Sequence, residues 1–176
     1  MYSRVYVEIT NLCNRNCSFC PGTGRSPRQL SREEFRRIAE KLQGVTKYLY
    51  YHLMGEPLTH PLLPELLGIA GEHGFRSVIT TNGTLLPQRG QALLTAGVYK
   101  INVSVHSFEE GTEEDYIRYI TGCLDFARSA SAQGTLVVLR LWNNGCDEGR
   151  NQRTVAMIRQ ASPHIWREDP PGHQGG

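Results

Sequence analysis

No apolar run in this chain of 176 residues approaches the roughly 18 to 20 consecutive residues that span a bilayer. The N-terminus opens on strand-like residues without a charged leader or an apolar stretch behind it, so neither an anchor nor a secretory leader is expected and the chain reads as cytoplasmic. An excess of charge of one sign is missing too. Lys and Arg number 19 against 17 Asp and Glu, a net charge of +2, which calls for neither nucleic acid nor a membrane surface as a partner. There is no sequence repeat beyond an alternation of strand and helix patterns. A disulfide framework is absent as well: three of the five cysteines crowd into one short stretch, and such spacing in a reducing compartment points to metal. The length suits one domain with a sizeable core.

What is present starts with that stretch, Cys13-Asn-Arg-Asn-Cys17-Ser-Phe-Cys20, directly after the alternating run Val5-Tyr-Val-Glu-Ile-Thr10. Three thiolates on a short loop suit a soft metal or an iron–sulfur cluster. A four-iron cluster held by only three thiolates keeps one iron open for a non-protein ligand. Cys123 and Cys146 stand alone and read as ordinary buried or loop thiols.

Beyond the loop, Ser31 and Glu34 form a capping box that opens an amphipathic helix to about Leu42. The pattern then predicts a strand over 47–54, a helix over 62–73 closed by Gly74, a strand over 75–81 and a helix over 85–96 ended by Gly97. A fourth strand is expected over 98–106, and a long helix over 112–133 capped by Thr112 with Asp115. The nearly continuous apolar run of 135–142 reads as a parallel strand covered on both faces. A last helix is expected at 152–160, and the Pro- and Gly-bearing end reads as a disordered tail over 163–176, leaving a core of 1–162. Five strands alternating with helices argue for an α/β fold of parallel βα units, either barrel-like or doubly wound. Both architectures place ligands at the carboxyl ends of the strands, where the cysteine loop also falls.

Other strand ends carry punctuation of their own: Met54-Gly55-Glu56-Pro57, Thr81-Asn82-Gly83-Thr84 and Ser104-Val-His106. Asn82-Gly83 joins a strand to a helical pattern, which removes its usual hairpin reading. Taken with the C-x3-C-x-aromatic-C loop, these motifs resemble the radical S-adenosylmethionine (SAM) superfamily over roughly residues 4 to 142. The resemblance implies a partial TIM-like barrel with outer helices, here with about five βα units. It implies that Cys13, Cys17 and Cys20 each bind one iron of a [4Fe-4S] cluster and that SAM chelates the fourth. Phe19 would pack near the adenine, Glu56 would accept from the ligand's amino group, and Gly55 and Pro57 would shape that turn. Ser104 and Asn82 would be further contacts to the cofactor, and Arg140, the one charge inside strand five, is either a carboxylate partner of the cofactor or a residue at the barrel rim. No catalytic residue beyond the cluster is implied.

This chain departs from the common pattern at Met54, where many members have glycine, and at His106, where many have an acid after the strand-four serine. The function implied is reductive cleavage of SAM to a 5′-deoxyadenosyl radical that abstracts hydrogen from a substrate, with a peptide or protein as a candidate. A flavodoxin- or ferredoxin-like low-potential electron donor is the implied partner. The alternatives are a non-catalytic iron–sulfur remnant and a structural zinc site in which His52 or His60 joins the thiols. No cysteine-rich segment follows Cys146, so no auxiliary cluster is expected. Because no sixth strand can be read after the fifth, the chain is expected to be a truncated member with an exposed, self-associating strand edge. The basic run Arg25, Arg28, Arg32, Arg36 and Arg37 reads as a solvated face.

Overall fold

The computed structural model describes residues 1–141, 149–161 and 166. The expectations for Trp142, Cys146 and the 163–176 tail, Trp166 apart, lie outside the described residues. Met1–Leu141 forms one compact unit, and Trp142–Gly176 forms another.

In the first unit five strands, β1 (Val5–Tyr6), β2 (Tyr48–Tyr51), β3 (Arg76–Thr81), β4 (Lys100–Ser104) and β5 (Leu136–Arg140), make one parallel sheet in the order β1-β2-β3-β4-β5. Between them run α1 (Arg32–Leu42), α2 (Leu63–Glu72), α3 (Leu86–Thr95) and α4 (Glu113–Ala132). That sequential order decides between the two architectures left open by the pattern. A doubly wound sheet reverses its strand order at a switch point, whereas a barrel adds each strand beside the last. The fold is a partial barrel. The second unit contributes α5 (Arg150–Ala161).

Local chemistry fixes the boundaries. Ser31 and Glu34 satisfy one another's backbone N–H groups at the start of α1, and Thr112 and Asp115 do the same for α4. Along β2 and β3 alternate residues are buried on the helix side. Leu49, Tyr51 and Ile79 are fully buried there, with Phe35 of α1 stacked on Tyr51 at 5.8 Å. Each buried aliphatic side chain of this layer contributes ~1.5 to 3 kcal/mol. Gly90 lets α3 approach α4, since a Cβ there would stand 2.5 Å from the Phe126 ring.

Two strand expectations are corrected. The ladder of β1 covers only Val5–Tyr6, because the chain then leaves β2 to pair with a returning segment: Thr10 bridges Gln29 antiparallel, and Leu30 donates its N–H to the Ile9 carbonyl at 2.9 Å. Among the described residues nothing covers the fifth strand on both faces. Among the described residues β5 pairs only with β4, Leu136 is 51% exposed, and Val137, Val138 and Leu139 are half-buried. No helix among the described residues is long and apolar enough to cross a membrane.

Candidate functional site

The cysteine loop, the Gly-Glu-Pro turn, the Thr-Asn-Gly turn and the segment after β4 follow β1, β2, β3 and β4, so they share the carboxyl end of the sheet. Ser104 and Arg140 are register partners at the ends of β4 and β5.

Gly55 is required by the chain's own backbone. Its φ is +80°, and a Cβ there would stand 2.6 Å from the Thr10 carbonyl oxygen and 2.8 Å from that of Leu12. The glycine thus admits the strand that leads into the cysteine loop, and Glu56 N–H then donates to Leu12 O at 2.7 Å. Glu56 itself is 2% exposed. Its carboxylate accepts the N–H of Leu58 at 3.0 Å, capping the short 3₁₀ turn Pro57–Thr59, and the N–H of Asn82 at 2.7 Å. Burial raises the Glu56 pKa, and these backbone donors oppose the shift. Pro57 is buried at the first position of that turn, where its missing N–H is not needed.

Asn82 carries the connection to the cysteine loop. Its side-chain amide donates to Asn14 Oδ1 at 2.9 Å while its own oxygen accepts from Thr84, and Tyr119 of α4 donates to its carbonyl at 2.7 Å. Gly83 follows at φ +82°, and a Cβ there would meet Val103, Tyr119 and Cys123 at 2.8 to 3.1 Å. Cys123 is 1% exposed, and burial pushes its thiol up to about 12, so it is an inert packing residue as expected.

On the loop, Cys13 and Cys20 are exposed, Cys17 is half-buried, and all three thiols are free. The Cys17 pKa is raised by partial burial first, then by the charges of Glu109 and the neighbouring thiols. Cys13 and Cys17 line a cavity of about 380 Å³ with Asn14, Arg15, Asn16, Glu109 and Glu110. The segment after β4 grips the loop: Cys17 Sγ lies 3.6 Å from Ser107 O, and Ser18 donates its N–H to Glu109 at 2.7 Å. Phe19 is 42% exposed, with its ring 5.2 Å from that of His106, whose Nδ1 lies 3.3 Å from Arg140 O. Ser104 is half-buried and Arg140 exposed.

Three soft thiolates on one loop are the donor set of a cluster whose irons each take one of them. Among the described residues no three His, Cys, Asp or Glu side chains are gathered to share one metal. His60 is committed elsewhere, its Nε2 2.9 Å from Leu30 O and its Nδ1 accepting from Leu62 N–H, so it does not complete a zinc site.

Asn14, Ser18, Glu109 and Tyr119 were not legible as site residues. Glu109 meets Ser18 across 91 positions of sequence, and nothing local marks it. The basic run is a solvated, internally neutralised face: Arg25 pairs with Glu8, Arg28 with Glu34, Arg32 with Glu65 and Arg36 with Glu72.

Comparison with known proteins places these residues in context. The family model of the Radical SAM superfamily matches residues 7–141. A GTP 3',8-cyclase of Geobacter sulfurreducens is 33% identical over 154 residues, covering 79% of this chain and 47% of that protein. An AdoMet-dependent heme synthase of Methanosarcina barkeri is 32% identical over 113 residues, or 62% of this chain and 32% of the relative. The chain thus spans half or less of the length of these curated relatives. Among solved structures, BtrN in complex with AdoMet and 2-DOIA superposes with a TM-score of 0.63 at 25% identity, covering 79% of this chain and 56% of that one.

Proposed function

The chain belongs to the radical SAM superfamily, whose members use a [4Fe-4S] cluster and SAM, and on that premise we propose that Cys13, Cys17 and Cys20 hold the cluster and that the strand ends around it hold SAM. When bound, the cluster and SAM supply reductive cleavage of SAM and hydrogen abstraction from a substrate. The observation that supports this reading is the joint geometry of three motifs: the free thiols of the loop, Glu56 and Asn82 are tied together by hydrogen bonds through Leu12 and Asn14.

The residues divide the work as follows. Asn82 and Gly55 fix the path of the loop. Glu56 keeps acceptor capacity beyond that given to Leu58, Asn82 and Thr81, since a carboxylate offers about four acceptor positions, and would accept from the SAM amine. Phe19 would offer its exposed ring to the adenine, and Ser104 and Arg140, register partners at the ends of β4 and β5, would contact the ribose or methionyl carboxylate. A flavodoxin- or ferredoxin-like protein supplies the electron. A heme synthase and a GTP 3',8-cyclase stand among the relatives, and the substrate here, with a peptide or protein as one candidate, is set by residues particular to this chain.

Anaerobic reconstitution with iron and sulfide tests the reading. About four irons per chain, a SAM-dependent change in the cluster spectrum, and 5′-deoxyadenosine formed under a strong reductant are expected. Zinc in place of iron, or a full cluster with no response to SAM, would refute it.

A further inference from the structure

The segment that follows β4 touches the cysteine loop at three successive residues. Arg15 lies over the Phe108 ring at 5.1 Å and donates to Ser107 O at 3.4 Å, Cys17 Sγ approaches the same carbonyl at 3.6 Å, and Ser18 meets Glu109. The last contact is double: Ser18 donates both its N–H, at 2.7 Å, and its hydroxyl to the two oxygens of one carboxylate. Ser18 follows Cys17 directly, so whatever holds Ser18 holds the direction of that thiol. Glu109 also lines the cavity shared by Cys13 and Cys17, which puts a negative charge beside them.

We infer that Glu109 is a positioning residue of the cluster site, which latches the loop through Ser18 and, by its charge, makes the bound cluster harder to reduce. This inference rests on the cluster reading given above. The two effects separate by chemistry. Thiolates must converge on one cluster, so a loop free to splay holds it less well. A fixed negative charge opposes the uptake of an electron nearby, and net charge and hydrogen bonding set the potentials of such clusters. Arg15, on the same loop, offsets part of that field.

The test uses the reconstituted full chain with Glu109→Ala, Glu109→Gln and Glu110→Ala, comparing the rate of cluster loss to a chelator and the potential from a spectroscopic redox titration. Glu109→Ala should lose its cluster about three- to tenfold faster and shift the potential positive. Glu109→Gln, which keeps an acceptor for Ser18, should shift the potential with a smaller effect on retention. Glu110→Ala, whose side chain also lines the cavity, should keep the wild-type rate of loss. Wild-type rate and potential in Glu109→Ala, or a rate of cluster loss no faster than that of Glu110→Ala, would overturn the inference. Hydrogen exchange of the Ser18 amide in the cluster-free chain reads the latch alone: protection should disappear in Glu109→Ala, and unchanged protection defeats the latch. Failure of the wild-type chain to take up a cluster overturns the cluster reading and the charge effect with it, while the Ser18 amide still decides the latch.

Discussion

Glu56 accepts the backbone N–H of Asn82 at 2.7 Å, joining the turn after β2 to the turn after β3 in the interior of the site. Asn82 passes the connection on to Asn14, next to the first cysteine. The three motifs recognisable in the sequence are therefore one hydrogen-bonded unit, in which Glu56 and Asn82 set the scaffold of the cysteine loop.

Glu56→Gln should accordingly cost stability as well as SAM affinity. The amide nitrogen of glutamine must face one of the two N–H groups now accepted, leaving a buried donor unpaired at a cost of ~1 to 3 kcal/mol. Urea unfolding should show the loss of stability, and a SAM titration followed by the cluster's spectrum should show weaker binding. A change in affinity alone would mean that the backbone contacts carry no weight.

Gly55→Ala should be among the most damaging single-atom changes in the chain. It combines positive φ with a Cβ 2.6 Å from a carbonyl oxygen, and ~1 kcal/mol of conformational cost is joined by displacement of the strand into the loop, together ~2 to 4 kcal/mol. Gly74→Ala is the comparison: its φ is +78° with nothing within 4 Å of the added carbon, so only ~1 kcal/mol is expected. Thermal unfolding of the two variants measures the difference directly.

Cys13→Ala, Cys17→Ala and Cys20→Ala should each abolish a full cluster on reconstitution, whereas Cys123→Ala should keep it. Cys123 sits behind Gly83 in the helix layer, and its loss should appear instead as lower stability. Iron and sulfide counts on the four proteins decide the matter.

Much of this is legible in the sequence. Capping boxes at Ser31 and Thr112 are local chemistry, and the structure has them as read. The thiol spacing and the two turns are local too. What escaped was long-range. The early departure of β1 depends on pairing with Gln29 and Leu30, and the apolar run of β5 could not reveal how many neighbours the strand has. Gly55 reads as shaping its turn, and the backbone atoms that hold the position to glycine, those of Thr10 and Leu12, come from a distant segment. Periodicity reports which face is apolar, and it is silent on which polar side chains meet from distant turns.

His52 supplies a prediction about pH. It sits just past β2, its ring 5.1 Å from that of Tyr6, with Nδ1 buried and without a hydrogen-bond partner. Burial, and secondarily the charge of Arg140, holds its pKa down to about 4, against about 6.5 for an unperturbed histidine. Between those values the unfolded chain binds a proton that folded His52 does not. The histidine therefore leaves stability intact above about pH 6.5 and lowers it as the pH falls toward 4. The ring is only partly shielded from solvent, so the effect should be ~1 to 2 kcal/mol rather than the full value of the shift. Urea unfolding at pH 7.0 and 4.5 should show a smaller loss for His52→Phe than for the wild-type chain, because phenylalanine keeps the contact with Tyr6 and has no proton to take up. Equal losses in the two proteins would mean that His52 is free to ionise in the folded state.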